Sequence, residues 1–262
     1  MRAATIILAM VATLAPAAAE TIHLYAAGSL KSALTEVAKA FEGTTGNKVE
    51  PKYGPSGLLK KEISEGAKAD VFASANMEHP QALYDEKRGG VVSRFARNRL
   101  CALVKPGLKV DSASLLEHML DPNIKLATST PKADPSGDYA LEVFRKAEAI
   151  RPGAQRALDK KALQLTGSGT SAEPPAGRTA YSWHVAEGRA DIFLTYCTNA
   201  LVAQKENPGQ QIVALPDNLA VGADYGLTVL SGTPPAAQRF ADFILSPQGQ
   251  KILEGHGFTS GK

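Results

Sequence analysis

Three serines, each just ahead of an apolar helical pattern, are the residues of this chain best suited to bind an anion. Ser29 lies in the sequence AGSL, Ser56 in GPSG and Ser136 in DPSG. The first N–H groups of a helix have no internal partner, and the helix dipole places roughly half a positive charge there. One such serine alone is typical of a helix N-cap. Three serines that converge would instead surround one anion with hydroxyl and amide donors.

The N-terminal segment has the pattern of an export signal. Arg2 precedes an apolar stretch from Ala3 to Leu14, and three alanines ending at Ala19 come directly before Glu20. The stretch is shorter than the roughly 20 residues that a membrane-spanning helix needs, and the alanines fit a signal-peptidase site. Residues 1–19 are therefore predicted to be a signal peptide cleaved near Ala19, which predicts a soluble periplasmic protein.

The remaining 243 residues (262 minus 19) are enough for one large domain or for two lobes of ordinary size. The full chain has 29 Lys and Arg against 26 Asp and Glu, and loss of Arg2 changes the net charge from +3 to +2. The charges are interspersed, and no long basic run with aromatic residues occurs. Nucleic acid is therefore not expected as a partner.

The chain has two cysteines, Cys101 and Cys197. An isolated pair in an oxidising compartment predicts a disulfide. The alternative is two buried free thiols, which behave as small apolar side chains.

The apolar patterning alternates between strand and helix along the chain. Strands are predicted at 21–26, 48–53, 69–75, 100–105, 125–128, 163–166, 191–196, 211–215 and 226–230. Helices are predicted at 32–41, 58–65, 79–87, 112–120, 137–149, 178–186, 235–245 and 247–254. This alternation predicts the α/β class with doubly wound parallel sheets covered by helices.

Several segments resemble one known family in the same order along the chain. They are AAGSLKSALTEVAKAFE, YGPSGLLKKEISEGAKADVFASAN, DPSGDYALEVF, VAEGRADIFLTYCTNA and FADFILSPQGQKILEGHGF. Together they resemble the periplasmic molybdate-binding proteins that serve ABC importers, over nearly all of the chain after residue 19. The resemblance implies a type II solute-binding fold, in which two α/β lobes joined by crossing strands close like a hinge over a cleft. Lobe one would comprise residues 20–100 and 222–262, and lobe two residues 101–221.

The resemblance also implies a set of ligand-binding residues. Ser29 and Ser56 would bind the oxyanion through hydroxyl and backbone amide, and Tyr196 through its hydroxyl. Ser136 occupies the place of an alanine whose amide contacts the ligand in the family. Arg178 occupies the place of an apolar residue whose amide does the same. Its guanidinium could grip the oxyanion directly or turn outward to solvent, and the inward orientation is slightly favoured. The metal of molybdate would have no direct protein ligand.

The chemistry of these residues agrees with a dianion. Molybdate carries no proton near neutral pH, so that its site needs donors and no acceptor. Phosphate keeps a proton and favours a site with a carboxylate. Asp134 and Asp138 flank Ser136, but they are interpreted as a turn residue and as a first-turn acid that suits the helix dipole.

The predicted function is therefore capture of molybdate or tungstate by a monomer and delivery to the permease and ATPase of an ABC importer, without a cofactor. Sulfate, phosphate, an organic oxyanion or ferric iron are the alternative ligands. An enzyme is not expected, because the chain lacks a G-x-S-x-G serine motif and an H-E-x-x-H metal motif. The effector half of a transcription regulator is disfavoured by the signal peptide and by the missing DNA-binding helices.

Overall fold

The computed structural model describes residues 19–261, so the predicted signal peptide lies, except for Ala19, outside the described residues. The strands over this range are β1 (Thr21–Ala27), β2 (Lys48–Gly54), β3 (Val71–Ser74), β4 (Ser93–Val104), β5 (Leu126–Ser129), β6 (Leu163–Thr166), β7 (Ile192–Tyr196), β8 (Gln211–Ala214), β9 (Gly222–Val229) and β10 (Thr259–Ser260). The helices are α1 (Lys31–Thr45), α2 (Ser56–Ser64), α3 (Glu78–Asp85), α4 (Leu115–Leu120), α5 (Pro135–Ile150), α6 (Ala154–Lys161), α7 (Ala180–Ala186), α8 (Cys197–Glu206), α9 (Pro235–Leu245) and α10 (Pro247–Gly255). A 3₁₀ turn at Gly28–Leu30 connects β1 to α1.

The long strand β4 joins two groups of strands. Its residues 93–99 pair with β9, and its residues 100–104 pair with β7. The first strand group therefore contains β1, β2, β3, β9 and the start of β4, and the second contains β5 to β8 and the end of β4. The change of partner falls beside the position where the sequence places the lobe boundary, although the lobe assignment itself stays a prediction.

The parallel registers bring several strand ends to common edges. In the first group, β1 and β2 pair from Thr21 opposite Lys48 to Ala27 opposite Gly54, so that both strands end side by side. In the second group, β5 is parallel to both β6 and β7. Because ligands of such sheets bind beyond the carboxyl ends of the strands, these edges are where a site is expected.

The predicted α/β class is confirmed, and the sheet is mixed rather than parallel throughout. Strand β9 is antiparallel to β3 and β4, and β4 is antiparallel to β7 and β8. The two connecting strands are also longer than predicted, because their polar residues, such as Arg97 and Asp224, pair across the sheet surface. Helices α6 and α8 were not predicted, and α8 buries mainly small residues that give a weak apolar pattern.

The predicted disulfide is confirmed, and it ties the connecting strand to the second strand group. Cys101 lies on β4 directly after the change of partner, and Cys197 is the first residue of α8. The two residues are bonded, with their Cα atoms 4.9 Å apart. Across residues 19–261, none of the helices combines the length and apolar character that a membrane crossing requires.

Candidate functional site

A small cavity lies where the carboxyl edges of the two strand groups meet. Its volume is about 150 Å³, which is below the roughly 300–1,000 Å³ of pockets for drug-sized ligands. Residues at or near the starts of five helices line it, namely α1, α2, α5, α7 and α8. Side chains that line it belong to Ser29, Ser56, Asp134, Thr166, Tyr181, Tyr196 and Asn199.

Ser29 is held by a chain of hydrogen bonds from the connecting strands. The side-chain amide of Asn98 donates to the Tyr225 hydroxyl over 3.2 Å. The Tyr225 and Ser29 hydroxyl oxygens are 2.9 Å apart. The Tyr225 oxygen accepts from Asn98, and either hydroxyl can be the donor in the bond between Tyr225 and Ser29. When Tyr225 donates, the Ser29 hydrogen is left for a ligand in the cavity.

Ser56 has an equivalent arrangement at the first residue of α2. Its oxygen accepts a hydrogen bond from the Ala75 amide over 3.1 Å, and its side chain is buried. The hydroxyl hydrogen has no other acceptor within residues 19–261 and is free for a ligand in the cavity. The Ser56 amide belongs to the first helical turn, where N–H groups lack an internal acceptor.

Tyr196 closes the cavity from the second strand group. It ends β7, and its hydroxyl donates to the Ala75 carbonyl in the first strand group over 3.3 Å. Its ring packs at 5.5 Å from that of Tyr225 and at 6.2 Å from that of Tyr139. Burial raises the pKa of Tyr196 well above its ordinary value, so the hydroxyl keeps its hydrogen at neutral pH.

Two more polar side chains of the second strand group face the cavity. Tyr181 lies in the first turn of α7, and burial, followed by the charge of Asp134, raises its pKa to about 12. Asn199 lies in the first turn of α8 and donates to the Thr195 hydroxyl over 3.1 Å. Sequence reasoning missed both residues. The spacing of Asn199 three residues after Tyr196 was the available signal, because it places the amide at the same helix start.

Asp134 lines the cavity as the N-cap of α5. Its Oδ1 accepts a hydrogen bond from the Ser136 amide over 3.0 Å. The interpretation of Asp134 as a helix-start residue is thus confirmed, but its position in the cavity was not predicted. Asp138 has the other expected role, and its carboxylate accepts from the Lys132 amide over 2.9 Å.

Ser136 does not line the cavity, contrary to the prediction. Its amide is taken by Asp134, and its buried hydroxyl donates to the Ser129 hydroxyl over 2.7 Å. The Ser129 oxygen lies 2.8 Å from that of Thr166. Ser136 therefore joins a chain of hydroxyls behind Asp134 rather than offering a donor to a ligand.

Arg178 also lies outside the cavity lining, and the inward orientation predicted for it needs correction. Its guanidinium Nε donates to Glu206 at the end of α8 over 2.9 Å. Its backbone amide donates to the Pro175 carbonyl over 3.1 Å. Helix α7 begins at Ala180, two residues later than predicted. In this structure the Arg178 guanidinium pairs with Glu206 away from the cavity lining, and its amide is bonded to Pro175.

Glu206 holds Arg178 in this outward position. The same carboxylate accepts from the Thr179 amide over 2.7 Å and from the Thr179 hydroxyl over 2.9 Å. Burial disfavours its charge, but the hydrogen bonds from Thr179 and Arg178 outweigh that effect and lower its pKa. An ionised Glu206 therefore anchors the start of α7.

The family of bacterial extracellular solute-binding proteins matches residues 22–259 of the chain. Uncharacterized protein PM1146 of Pasteurella multocida is 34% identical over 90% of this chain and 98% of its own length. The molybdate-binding protein ModA of Escherichia coli is 28% identical over 91% of this chain and 88% of its own. The structure of the sulfate-binding protein SubI from Mycobacterium tuberculosis superposes with a TM-score of 0.77, at 19% identity, over 92% of this chain and 87% of that one.

The match of the family model covers nearly the whole described range and includes each strand of the two groups except the first residue of β1. The fold is that of the type II periplasmic binding proteins, and the cavity lies between the two strand groups. The chain belongs to the family of bacterial extracellular solute-binding proteins.

Proposed function

We propose that this protein captures a small tetrahedral oxyanion, molybdate or tungstate, in the periplasm and delivers it as a monomer to the permease and ATPase of an ABC importer. The observation that carries this proposal is the state of the two serines. Both serines line the same cavity, where the Ser56 hydroxyl accepts from the Ala75 amide and the Ser29 hydroxyl lies 2.9 Å from that of Tyr225, so each can donate its own hydrogen to an anion.

The electrostatics of the cavity support an anionic ligand. Helix starts place partial positive charge at several points around it, each worth about 0.3–1 kcal/mol toward an anion. The phenols of Tyr181 and Tyr196 stay protonated because burial raises their pKa. The similarity to the molybdate-binding protein of Escherichia coli favours molybdate within this class.

Ferric iron is less well supported as the ligand. A ferric site would need ionised phenolates, whereas burial raises the pKa of Tyr196 and Tyr225. Within residues 19–261 no group of three or more His, Cys, Asp or Glu side chains is arranged to hold a metal ion. The rings around Tyr196 are nevertheless close together, a proximity that the sequence did not show.

Isothermal titration of the purified protein with molybdate, tungstate, sulfate and phosphate tests the proposal. We expect molybdate and tungstate to bind at least about 100-fold more tightly than the other two, a difference of about 2.8 kcal/mol. Tighter binding of sulfate or phosphate would assign the receptor to that anion. Absence of binding by all four would contradict an oxyanion receptor.

A further inference from the structure

The cavity contains a carboxyl group, and the negative charge of its ionised form would oppose the binding of an anion. Asp134 lines the cavity beside hydroxyl donors that would bind an oxyanion. Its place is built into the fold by Gly167, whose φ of +85° is the left-handed conformation that favours glycine. A Cβ on Gly167 would lie 2.6 Å from the Asp134 Cβ and 3.0 Å from Oδ2. The carboxyl group thus occupies a fitted position between α5 and the end of β6.

No cation compensates this carboxyl group within the described part of the chain, since Asp134 forms no ion pair with Lys, Arg or His there. The titratable groups that face it are Asp138 on its own helix, Tyr181 on α7, Tyr196 at the end of β7 and Tyr225 on β9. All four are neutral or negative at neutral pH. Hydrogen bonds from the Ser136 amide and from the Ser129 and Ser136 side chains supply dipoles, but none of these groups supplies a full positive charge.

An ionised Asp134 would repel a dianion at this short range, whereas a protonated one would donate a hydrogen bond to it. We propose that Asp134 and the bound oxyanion share one proton, so that capture of a molybdate-like dianion takes up a proton from solvent. This inference rests on the proposed function. The proton is held at a carboxyl oxygen and donated to an oxygen of the anion, and no other bond changes.

The interaction of Asp134 with an anion that carries its own proton should be different. Hydrogen phosphate carries its own proton and would donate it to ionised Asp134, so that its binding takes up none. Asp134 would therefore act as a specificity-determining residue that makes selection between the two classes of anion depend on pH. Burial raises the pKa of Asp134 from its ordinary value, which moves this dependence toward neutral pH.

Titration calorimetry in buffers of different ionisation enthalpy counts the protons taken up on binding. For the wild-type protein between pH 6 and pH 9, we expect uptake to approach about one proton per molybdate at the upper end. Over the same range Kd for molybdate should rise by up to about tenfold per pH unit. Phosphate should bind without uptake.

Asp134→Asn tests the role of the Asp134 carboxyl group, because asparagine also serves as an N-cap and its amide donates a hydrogen bond without a charge. We expect this variant to bind molybdate with no proton uptake and with a Kd that is independent of pH. Asp138→Asn is the matched control, since it removes a carboxylate of the same helix turn that bonds to Lys132. This control should keep the uptake of the wild type.

The outcomes separate this proposal from the proposed function. Molybdate binding by the wild type without proton uptake at any pH would contradict the shared proton and leave the oxyanion receptor intact. Uptake that persists in Asp134→Asn would contradict the assignment to Asp134. No binding of any of the four anions would contradict both proposals. If Asp134→Asn does not fold, proton uptake by the wild type still tests the shared proton, because uptake is expected with molybdate and not with phosphate.

Discussion

The amide of Gly57 donates to the carbonyl of Ala133 over 2.9 Å and thereby joins the start of α2 to the loop before α5. A Cβ on Gly57 would lie only 2.2 Å from the Lys132 carbonyl oxygen and 2.8 Å from that of Ala133. The hydroxyl of Tyr196, in the second strand group, makes another connection by donating to the carbonyl of Ala75 in the first strand group. The structure therefore shows the two strand groups in contact around the cavity.

Gly57→Ala is expected to prevent this contact and to weaken anion binding by at least about tenfold, or about 1.4 kcal/mol. The obstructing atoms are backbone carbonyls, which cannot rotate away as a side chain would. Titration calorimetry measures the affinity. Gly43→Ala is the matched control, because its Cβ would meet nothing within 4 Å. Wild-type affinity in Gly57→Ala would show that the contact does not contribute to binding.

Ser29→Ala and Ser56→Ala should each remove one hydroxyl donor to a charged ligand, which costs about 1.5–3 kcal/mol. The corresponding increase in Kd for molybdate is about one to two decades. Ser32→Ala, on the exposed face of α1, should leave Kd unchanged. If both cavity variants bind as the wild type does, the serines serve only the helix starts.

Loss of the Cys101–Cys197 disulfide should destabilise the protein. The bond joins residues that are 96 positions apart, and a loop of this length corresponds to about 4–5 kcal/mol in the chain-entropy model. Urea unfolding of a double variant, Cys101→Ser with Cys197→Ser, should therefore show a lower midpoint than the oxidised wild type. The reduced wild type is the control and should unfold with the double variant. Equal midpoints in all three proteins would contradict the expected stabilisation.

Arg178→Ala should leave the affinity for molybdate within about twofold of wild type, a free-energy difference near 0.4 kcal/mol. The guanidinium pairs with Glu206 and the Arg178 side chain is 33% exposed, so its loss should lower the free energy of unfolding by no more than about 1 kcal/mol. Arg151→Ala, which breaks an exposed pair with Glu117, is the comparison for a surface cation. A tenfold loss of affinity in Arg178→Ala alone would place the guanidinium at the ligand.

The charge of Glu206 should contribute to the free energy of unfolding, and this contribution should be lost at acid pH. Its pKa is lower in the folded protein than its ordinary value of 4.5, so its contribution is fully present above that value. The contribution is lost as pH falls through the folded pKa. Glu206→Gln should therefore reduce the free energy of unfolding at pH 7 by about 1–3 kcal/mol.

Urea unfolding of the wild type and Glu206→Gln at pH 7, 5 and 3 measures this effect. The difference between the two proteins should be largest at pH 7 and should shrink at pH 3, where the wild-type carboxylate gains a proton. Glu117→Gln, which alters an exposed carboxylate, should change little. A difference that stays constant with pH would contradict the role assigned to the Glu206 charge.

Local pattern predicted most of the fold because it depends on neighbours in the chain. The apolar alternation predicted β1, α1, β2 and the closing helices α9 and α10 close to their observed bounds. It missed α8, whose buried face consists of small residues. It also could not predict that β4 and β9 run antiparallel to their partners, because strand direction depends on how distant elements pair.

Some features of the candidate site also follow from local sequence, whereas others depend on tertiary structure. The sequence by itself determined that Ser29 and Ser56 follow strand ends and that Tyr196 is the last residue of a strand, because a strand pattern and a helix start are both local. Only the tertiary structure decided which of the predicted residues meet. The Ser136 amide donates to Asp134 instead of to a ligand. The Arg178 guanidinium donates to Glu206, which lies on a helix that the sequence pattern did not predict. A side chain's partners are set by packing between distant segments, and no short-range pattern encodes which acceptor lies nearest.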